Sequence, residues 1–114
     1  MKYLRIKKQA DFQKLFTKGK RAFSPSFVLL YAPAKRTRLG ISVGKKHGKD
    51  VQRNRVKRLI REAFRLSIDK LEKEYSFIVL PKAKDEYSFH EYKRHFERIF
   101  EKEILKNKYP SLLD

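Results

Sequence analysis

Apolar residues in this chain follow two periodicities, and the switches between them mark out its elements. In Asp11-Phe12-Gln13-Lys14-Leu15-Phe16-Thr17-Lys18-Gly19, the apolar Phe12, Leu15 and Phe16 share a helical face, and Gly19 is a C-terminal stop. Residues 20–23 read as a short edge strand, and residues 26–32 as a β-rich apolar run ended by Pro33. After the polar turn Ala34-Lys35-Arg36-Thr37, bulky Leu39, Ile41 and Val43 alternate with Arg38, Gly40, Ser42 and Gly44. That alternation predicts a strand over 38–46 with one bulky face and one nearly bare face. Gly48 closes it, Asp50 is placed to cap a helix, and the helix is expected to run to about Leu71. Residues 76–80 read as a buried strand stopped by Pro81. Ser88-Phe89-His90-Glu91 has the form of a capping box, with Glu91 reaching back to its cap. Phe89, Tyr92, Phe96, Ile99, Phe100 and Ile104 then line one face of a final helix ending before Pro110. The order α-β-β-α-β-α predicts an α+β two-layer sandwich, one domain over residues 1–114.

Charge changes this picture of an ordinary small domain. The 114 residues carry 30 Lys and Arg against 13 Asp and Glu, a net +17, while 40% apolar residues are enough for a real core. The excess is confined to one half. Residues 1–65 hold 20 basic side chains against Asp11, Asp50 and Glu62, whereas residues 66–114 hold 10 of each sign. A polyanion site is therefore expected in the first half. The absence of cysteine excludes a disulfide scaffold, a thiolate metal site and a cysteine nucleophile. No apolar run approaches the ~20 residues of a membrane span. The opening Met1-Lys2-Tyr3-Leu4-Arg5-Ile6-Lys7-Lys8 has no signal-peptide pattern, so a cytoplasmic protein is expected.

The densest charge lies on one helical surface. With Arg53 at zero and roughly 100° per residue, Lys57, Asn54, Arg61, Arg65 and Arg58 span about 40° to 140°. Val56, Leu59, Ile60 and Ala63 fall on the opposite side, ready to pack on a sheet. Arg53, Lys57, Arg61 and Arg65 follow one another at steps of four, where like charges repel. A solvated helix normally mixes signs, so this face points to a phosphate partner. Guanidinium forks suit phosphate oxygens, and Asn54 can bond a base edge or a sugar hydroxyl. Gly40, Ser42 and Gly44 serve equally an open groove or close helix packing. Phe12 and Phe16 suit either the core or a stacking platform for unpaired bases.

Catalytic patterns fail on spacing. His90 and His95 are five residues apart, so they do not share a face as zinc-protease ligands would, and both are expected at the surface. Gly40-Ile41-Ser42-Val43-Gly44-Lys45-Lys46 is too short for a phosphate-binding loop and has Lys in place of the metal-binding hydroxyl. Three carboxylates in the basic half are too few for a two-metal nuclease, so no catalytic or metal-ligating residue is expected on the polypeptide.

The segment Arg53-Asn54-Arg55 with Lys57-Arg58 and Arg61, preceded by Gly40 to Lys46 and by Asp11-Phe12, Phe16 and Gly19, resembles a known family. It is similar to the protein subunits of bacterial ribonuclease P, the ribonucleoprotein endonuclease that removes 5′ leaders from precursor tRNA. The resemblance implies an α-β-β-β-α-β-α order, with a mixed four-stranded sheet and a left-handed β-α-β crossover through the basic helix. It implies that an RNA subunit performs Mg²⁺-dependent phosphodiester hydrolysis while the protein improves substrate binding. Contacts to the catalytic RNA would fall to Lys45, Lys46, Arg53, Asn54, Arg55, Lys57, Arg58, Arg61 and Arg65. A cleft for the single-stranded leader would include Phe12, Phe16, Val28, Leu30 and Ser42. Leu30 departs from the aromatic residue common there, and the adjacent Tyr31 should face the other side of the sheet. An rRNA-binding structural protein of the ribosome and a protein-only nuclease are the alternative readings.

Overall fold

The computed structural model describes residues 3–105. Its elements are β1 (Leu4–Arg5), α1 (Gln9–Lys18), β2 (Lys20–Phe23), β3 (Phe27–Pro33), β4 (Arg38–Ile41), α2 (Asp50–Ser67), β5 (Tyr75–Pro81) and α3 (Phe89–Ile99). Short 3₁₀ turns lie at Lys45–His47 and Ile68–Lys70, and a π-helical segment, Phe100–Leu105, prolongs α3. The expected end of the last helix before Pro110 lies outside the described residues.

The sheet has five strands in the order β1-β4-β5-β3-β2. β4 runs parallel to β1 and β5, while β3 is antiparallel to β5 and β2, so the sheet is mixed as expected. The fifth strand corrects the expected four. β1 is two residues long, too short to show a periodicity, and is tied to β4 through Leu4 N–H donating to Thr37 O at 2.9 Å and Ile6 N–H to Leu39 O at 3.0 Å. The connection between the parallel neighbours β4 and β5 is α2, where the family pattern puts the crossover.

Alternation assigns the strand residues to two cores. Leu29, Tyr31, Phe77 and Val79 join Val56, Ile60, Ala63 and Phe64 of α2 and Tyr92 and Phe96 of α3 in the larger one. Leu30 and Ile78, one residue out of phase, join Leu15 of α1 and Ile6 in a smaller one. Helices α2 and α3 thus form the expected second layer, and α1 lies against the opposite face of the sheet. Gly19 is the C-cap of α1, its N–H donating to Leu15 O at 2.9 Å, and a Cβ there would sit 2.6 Å from that same oxygen, so the position favours glycine.

Several local expectations are corrected. β4 stops at Ile41, although Ser42 N–H still donates to Val79 O at 3.0 Å; the chain then turns at Gly44, so Lys45 and Lys46 sit on a 3₁₀ turn. Asp50 is the first residue of α2 and its carboxylate pairs with Arg53, while Lys49 holds the cap position. Ser88 does cap α3, accepting from Glu91 N–H at 3.4 Å, but the Glu91 carboxylate turns to Lys84 at 3.5 Å. His90 is exposed as expected; His95 is buried, its Nδ1 2.6 Å from the hydroxyl of buried Ser26. His47 is also buried, with Nδ1 2.7 Å from the Tyr87 hydroxyl.

Burial is the main cause holding the pKa of both His47 and His95 below the ordinary value of 6.5, with neighbouring cations acting in the same direction. The unfolded chain therefore takes up protons on these rings before the folded one does. Their contribution to stability is complete above pH 6.5 and is lost as pH falls through the lower folded values. Thermal unfolding followed by circular dichroism should show a lower midpoint at about pH 5.5 than at about pH 7.5. An equal or higher midpoint in acid would contradict this reading.

Candidate nucleic-acid interface

Helix α2 is held by its apolar stripe. Val56, Ile60, Ala63 and Phe64 are all fully buried against the sheet and α3. That seating turns Asn54, Arg55, Arg58 and Arg65 out to solvent and leaves Arg53, Lys57 and Arg61 half-buried along the flank. Two acids answer this face: Asp50 pairs with Arg53 and Glu62 with Arg65, each three residues away on the exposed surface. Lys57, Arg58 and Arg61 between them form no ion pair among the described residues. Burial, reinforced by Arg5 and Arg58, pulls the Arg61 pKa below its ordinary value. The guanidinium stays charged, as arginine does in proteins, so crowding raises the local potential that a phosphate would relieve.

The turn before α2 places two more cations next to the N-terminal end of the helix. Lys45 and Lys46 are exposed, whereas the next residue, His47, is anchored inward on Tyr87. Gly48 has φ of +105°, a conformation that side chains with a Cβ rarely adopt, and its N–H donates to Lys45 O at 3.0 Å. The buried histidine and the glycine together fix where the two lysines stand relative to the positive N-terminus of α2.

On the other face, the bare row of β4 is used in two ways. A Cβ at Gly40 would lie 2.8 Å from Cζ of Phe12, so that glycine is there for close packing of the Phe12 ring. A Cβ at Gly44 would meet nothing within 4 Å, so no close packing requires glycine there. Phe12, Phe16 and Val28 are half-buried around the smaller core and Ser42 is exposed. Leu30 is fully buried, a floor beneath the aromatic rings with no surface for a ligand. Tyr31 faces the larger core, as alternation requires. The structure therefore brings Phe12, Phe16, Val28 and Ser42 to one surface flanking α1.

Two residues at the β1 edge escaped sequence reasoning. Tyr3 and Arg5 join Phe12, Gly40, Lys57 and Arg61 around a cavity of about 180 Å³. This cavity connects the aromatic cleft with the cationic helix across the β1–β4 edge. The Tyr3 ring stands edge-on to Phe64, with centroids 5.1 Å apart. Burial raises the Tyr3 pKa, partly offset by Arg61, Arg5 and Arg65. Leu80, paired with Val28 across β3 and β5 and half-buried, extends the apolar floor of the cleft. The alternation of Ile78 and Leu80 carried that signal; nothing in the sequence pattern marked Arg5.

All three acids of the basic half are engaged by arginines, Asp11 with Arg38 at 3.1 Å and Asp50 and Glu62 within α2. Among the described residues no group of three or more His, Asp or Glu is placed to hold a metal ion. The arrangement suits binding of a phosphate chain alongside unstacked bases.

Comparison with known proteins agrees with this geometry. A family model described as Ribonuclease P matches residues 1–103. The ribonuclease P protein component of Bacillus pumilus is 40% identical over 110 residues, covering 93% of this chain and 92% of that protein. The structure of the Staphylococcus aureus RNase P protein superposes with a TM-score of 0.73 at 36% identity, covering 85% of this chain and 92% of that one. That of the Thermotoga maritima RNase P protein gives 0.63 at 29% identity, covering 96% and 91%.

If the outer face of α2 meets phosphates, replacing Arg58 or Arg53 by Ala should weaken RNA binding. Each variant should also make the dependence of log K on log salt shallower by roughly 0.7 to 0.9 for every phosphate left without its cation. Binding titrations over a salt series measure this, and an unchanged slope would contradict the assignment.

Proposed function

The chain belongs to the ribonuclease P protein family, and we propose that it binds the catalytic RNA through α2 and the leader of precursor tRNA through the cleft beside α1. In this reading it is the accessory subunit of a ribonucleoprotein endoribonuclease whose phosphodiester hydrolysis is carried by RNA. The observation that supports the division is the placement of the two surfaces. The cationic side of α2 and the aromatic side of α1 are set on different faces of one sheet and meet at the cavity lined by Arg5, Lys57 and Arg61.

Each surface matches one kind of RNA. Arg53, Asn54, Arg55, Lys57, Arg58 and Arg61, with Lys45, Lys46 and Arg65 at the two ends, offer charge and guanidinium forks with no aromatic platform. They suit the backbone of a folded RNA. Phe12 and Phe16 beside Val28 and Ser42 offer ring faces within a basic surround, which suits an unpaired strand. By neutralising phosphates on both RNAs, the protein brings together two polyanions that repel each other, and so it strengthens substrate binding without entering the chemistry. Among the described residues no group of three or more His, Asp or Glu is placed to hold a metal ion, and we place the Mg²⁺ of the reaction with the RNA subunit. No helix among the described residues is long and apolar enough to cross a membrane, and we place the particle in the cytoplasm.

Cleavage of precursor tRNA by the RNA subunit, with and without this protein, tests the reading at low Mg²⁺. Turnover should rise on adding the protein, and the protein alone should cut nothing. No gain at any Mg²⁺ concentration would favour an rRNA-binding role, and cleavage by the polypeptide alone would favour a nuclease. Gly40→Ala should separate the two surfaces, because its Cβ would displace the Phe12 ring. Affinity of the assembled particle for precursor tRNA with a long leader should drop several-fold while affinity for the catalytic RNA stays unchanged. Equal losses for both would contradict the division.

A further inference from the structure

Helix α1 has a second flank. Asp11, Lys14, Leu15 and Lys18 recur at steps of three and four and border a cavity of about 400 Å³. The far wall is the end of β3 with Ala34, Lys35 and Arg36 of the turn that follows, and Arg38 of β4 closes it. The strand register separates this space from the leader cleft. Ala32, Ser76 and Arg38 form one row across the sheet; Leu30, Ile78 and Gly40 form the next, under α1; Val28 and Leu80 form the third, on the cleft side.

We propose that this cavity is a second RNA-backbone site, taking phosphodiester groups of a strand that passes the flank of α1 opposite the leader cleft. It rests on the ribonuclease P reading above and adds a surface that the basic-helix motif does not contain. Five cations, Lys14, Lys18, Lys35, Arg36 and Arg38, converge on the cavity against the single acid Asp11. Asp11 is already engaged by Arg38 at 3.1 Å, and Arg38 Nε donates to the Ser76 hydroxyl at 3.2 Å. Those two bonds hold the guanidinium in place and use two of its five donors. Lys14, Lys18 and Lys35 form no ion pair among the described residues. Lys14 and Lys18, four residues apart on one helix, repel each other, which an anionic occupant would relieve. The volume lies within the ~300–1,000 Å³ of ligand pockets. The lining has no aromatic residue, only small or aliphatic groups such as Ala32 and Pro33 below the cations. Bases have nothing to stack on, so recognition is of the sugar-phosphate chain and is indifferent to sequence.

The test uses the variant Lys14→Ala, Lys35→Ala, Arg36→Ala, all exposed positions outside both cores. One arm measures its binding to the catalytic RNA alone over a salt series; the other measures binding of precursor tRNAs with short and long leaders to the assembled particle. With three cations removed from the phosphates, the slope of log K against log salt should become shallower by about two. A shallower slope in the first arm assigns the phosphates to the catalytic RNA, and one in the second assigns them to precursor tRNA. Unchanged slopes in both arms overturn the proposal, as does weaker binding with an unchanged slope. Arg58→Ala runs alongside: if it loses binding while the triple variant does not, only the cavity assignment fails. If neither variant changes anything, the RNA-binding reading of α2 fails with it.

Discussion

The structure depends on the docking of α2 onto the sheet. A helix carrying Arg53, Lys57, Arg61 and Arg65 at steps of four loses about 0.2–0.5 kcal/mol for each like-charged pair. The opposite stripe outweighs that many times over, since Val56, Ile60 and Phe64 are fully buried and each such side chain contributes about 1.5–3 kcal/mol. Packing decides the orientation, and the charge follows. Because the apolar stripe must face Phe77, Phe96 and their neighbours, the cations have only the outer surface available. The excess of charge in the first half of the chain is thereby gathered most densely on one side of one helix.

The opposite face of the sheet obeys a different constraint. Gly40 lets the Phe12 ring approach to a distance that a Cβ would forbid, and Leu30 and Ile78 form a closed floor beneath α1. The helix therefore sits low on the middle row and leaves a groove on each side, one bordered by aromatic rings and one by lysines and arginines. Edge strand β1 joins the two faces by bringing Tyr3 and Arg5 beside Lys57 and Arg61. A single small sheet thus carries a cationic helix over one face and an aromatic-bordered groove on the other.

Local patterns carried much of this. The helix before Gly19 and the facing of α2 follow from apolar spacing of three and four, which neighbouring residues determine. Long-range partnerships left no such trace. His95 reads as a surface residue until its partner Ser26, 69 positions earlier, is brought against it. Leu30 entered the cleft through the family resemblance alone, and no local pattern reports what covers that face of β3; α1 covers it. Strand β1 has two residues, and its pairing with β4 is the only thing that makes it a strand. The expected cap at Asp50 failed by one position, since an acid in the first turn is favoured by the helix dipole whether or not it caps.

The central claim is that one small protein holds two different RNAs on two surfaces, and crosslinking from single positions in the assembled particle tests it most directly. A photoreactive group placed at position 12 should attach to the precursor tRNA leader, and one at position 58 to the catalytic RNA. Attachment of both positions to the same RNA would contradict the account.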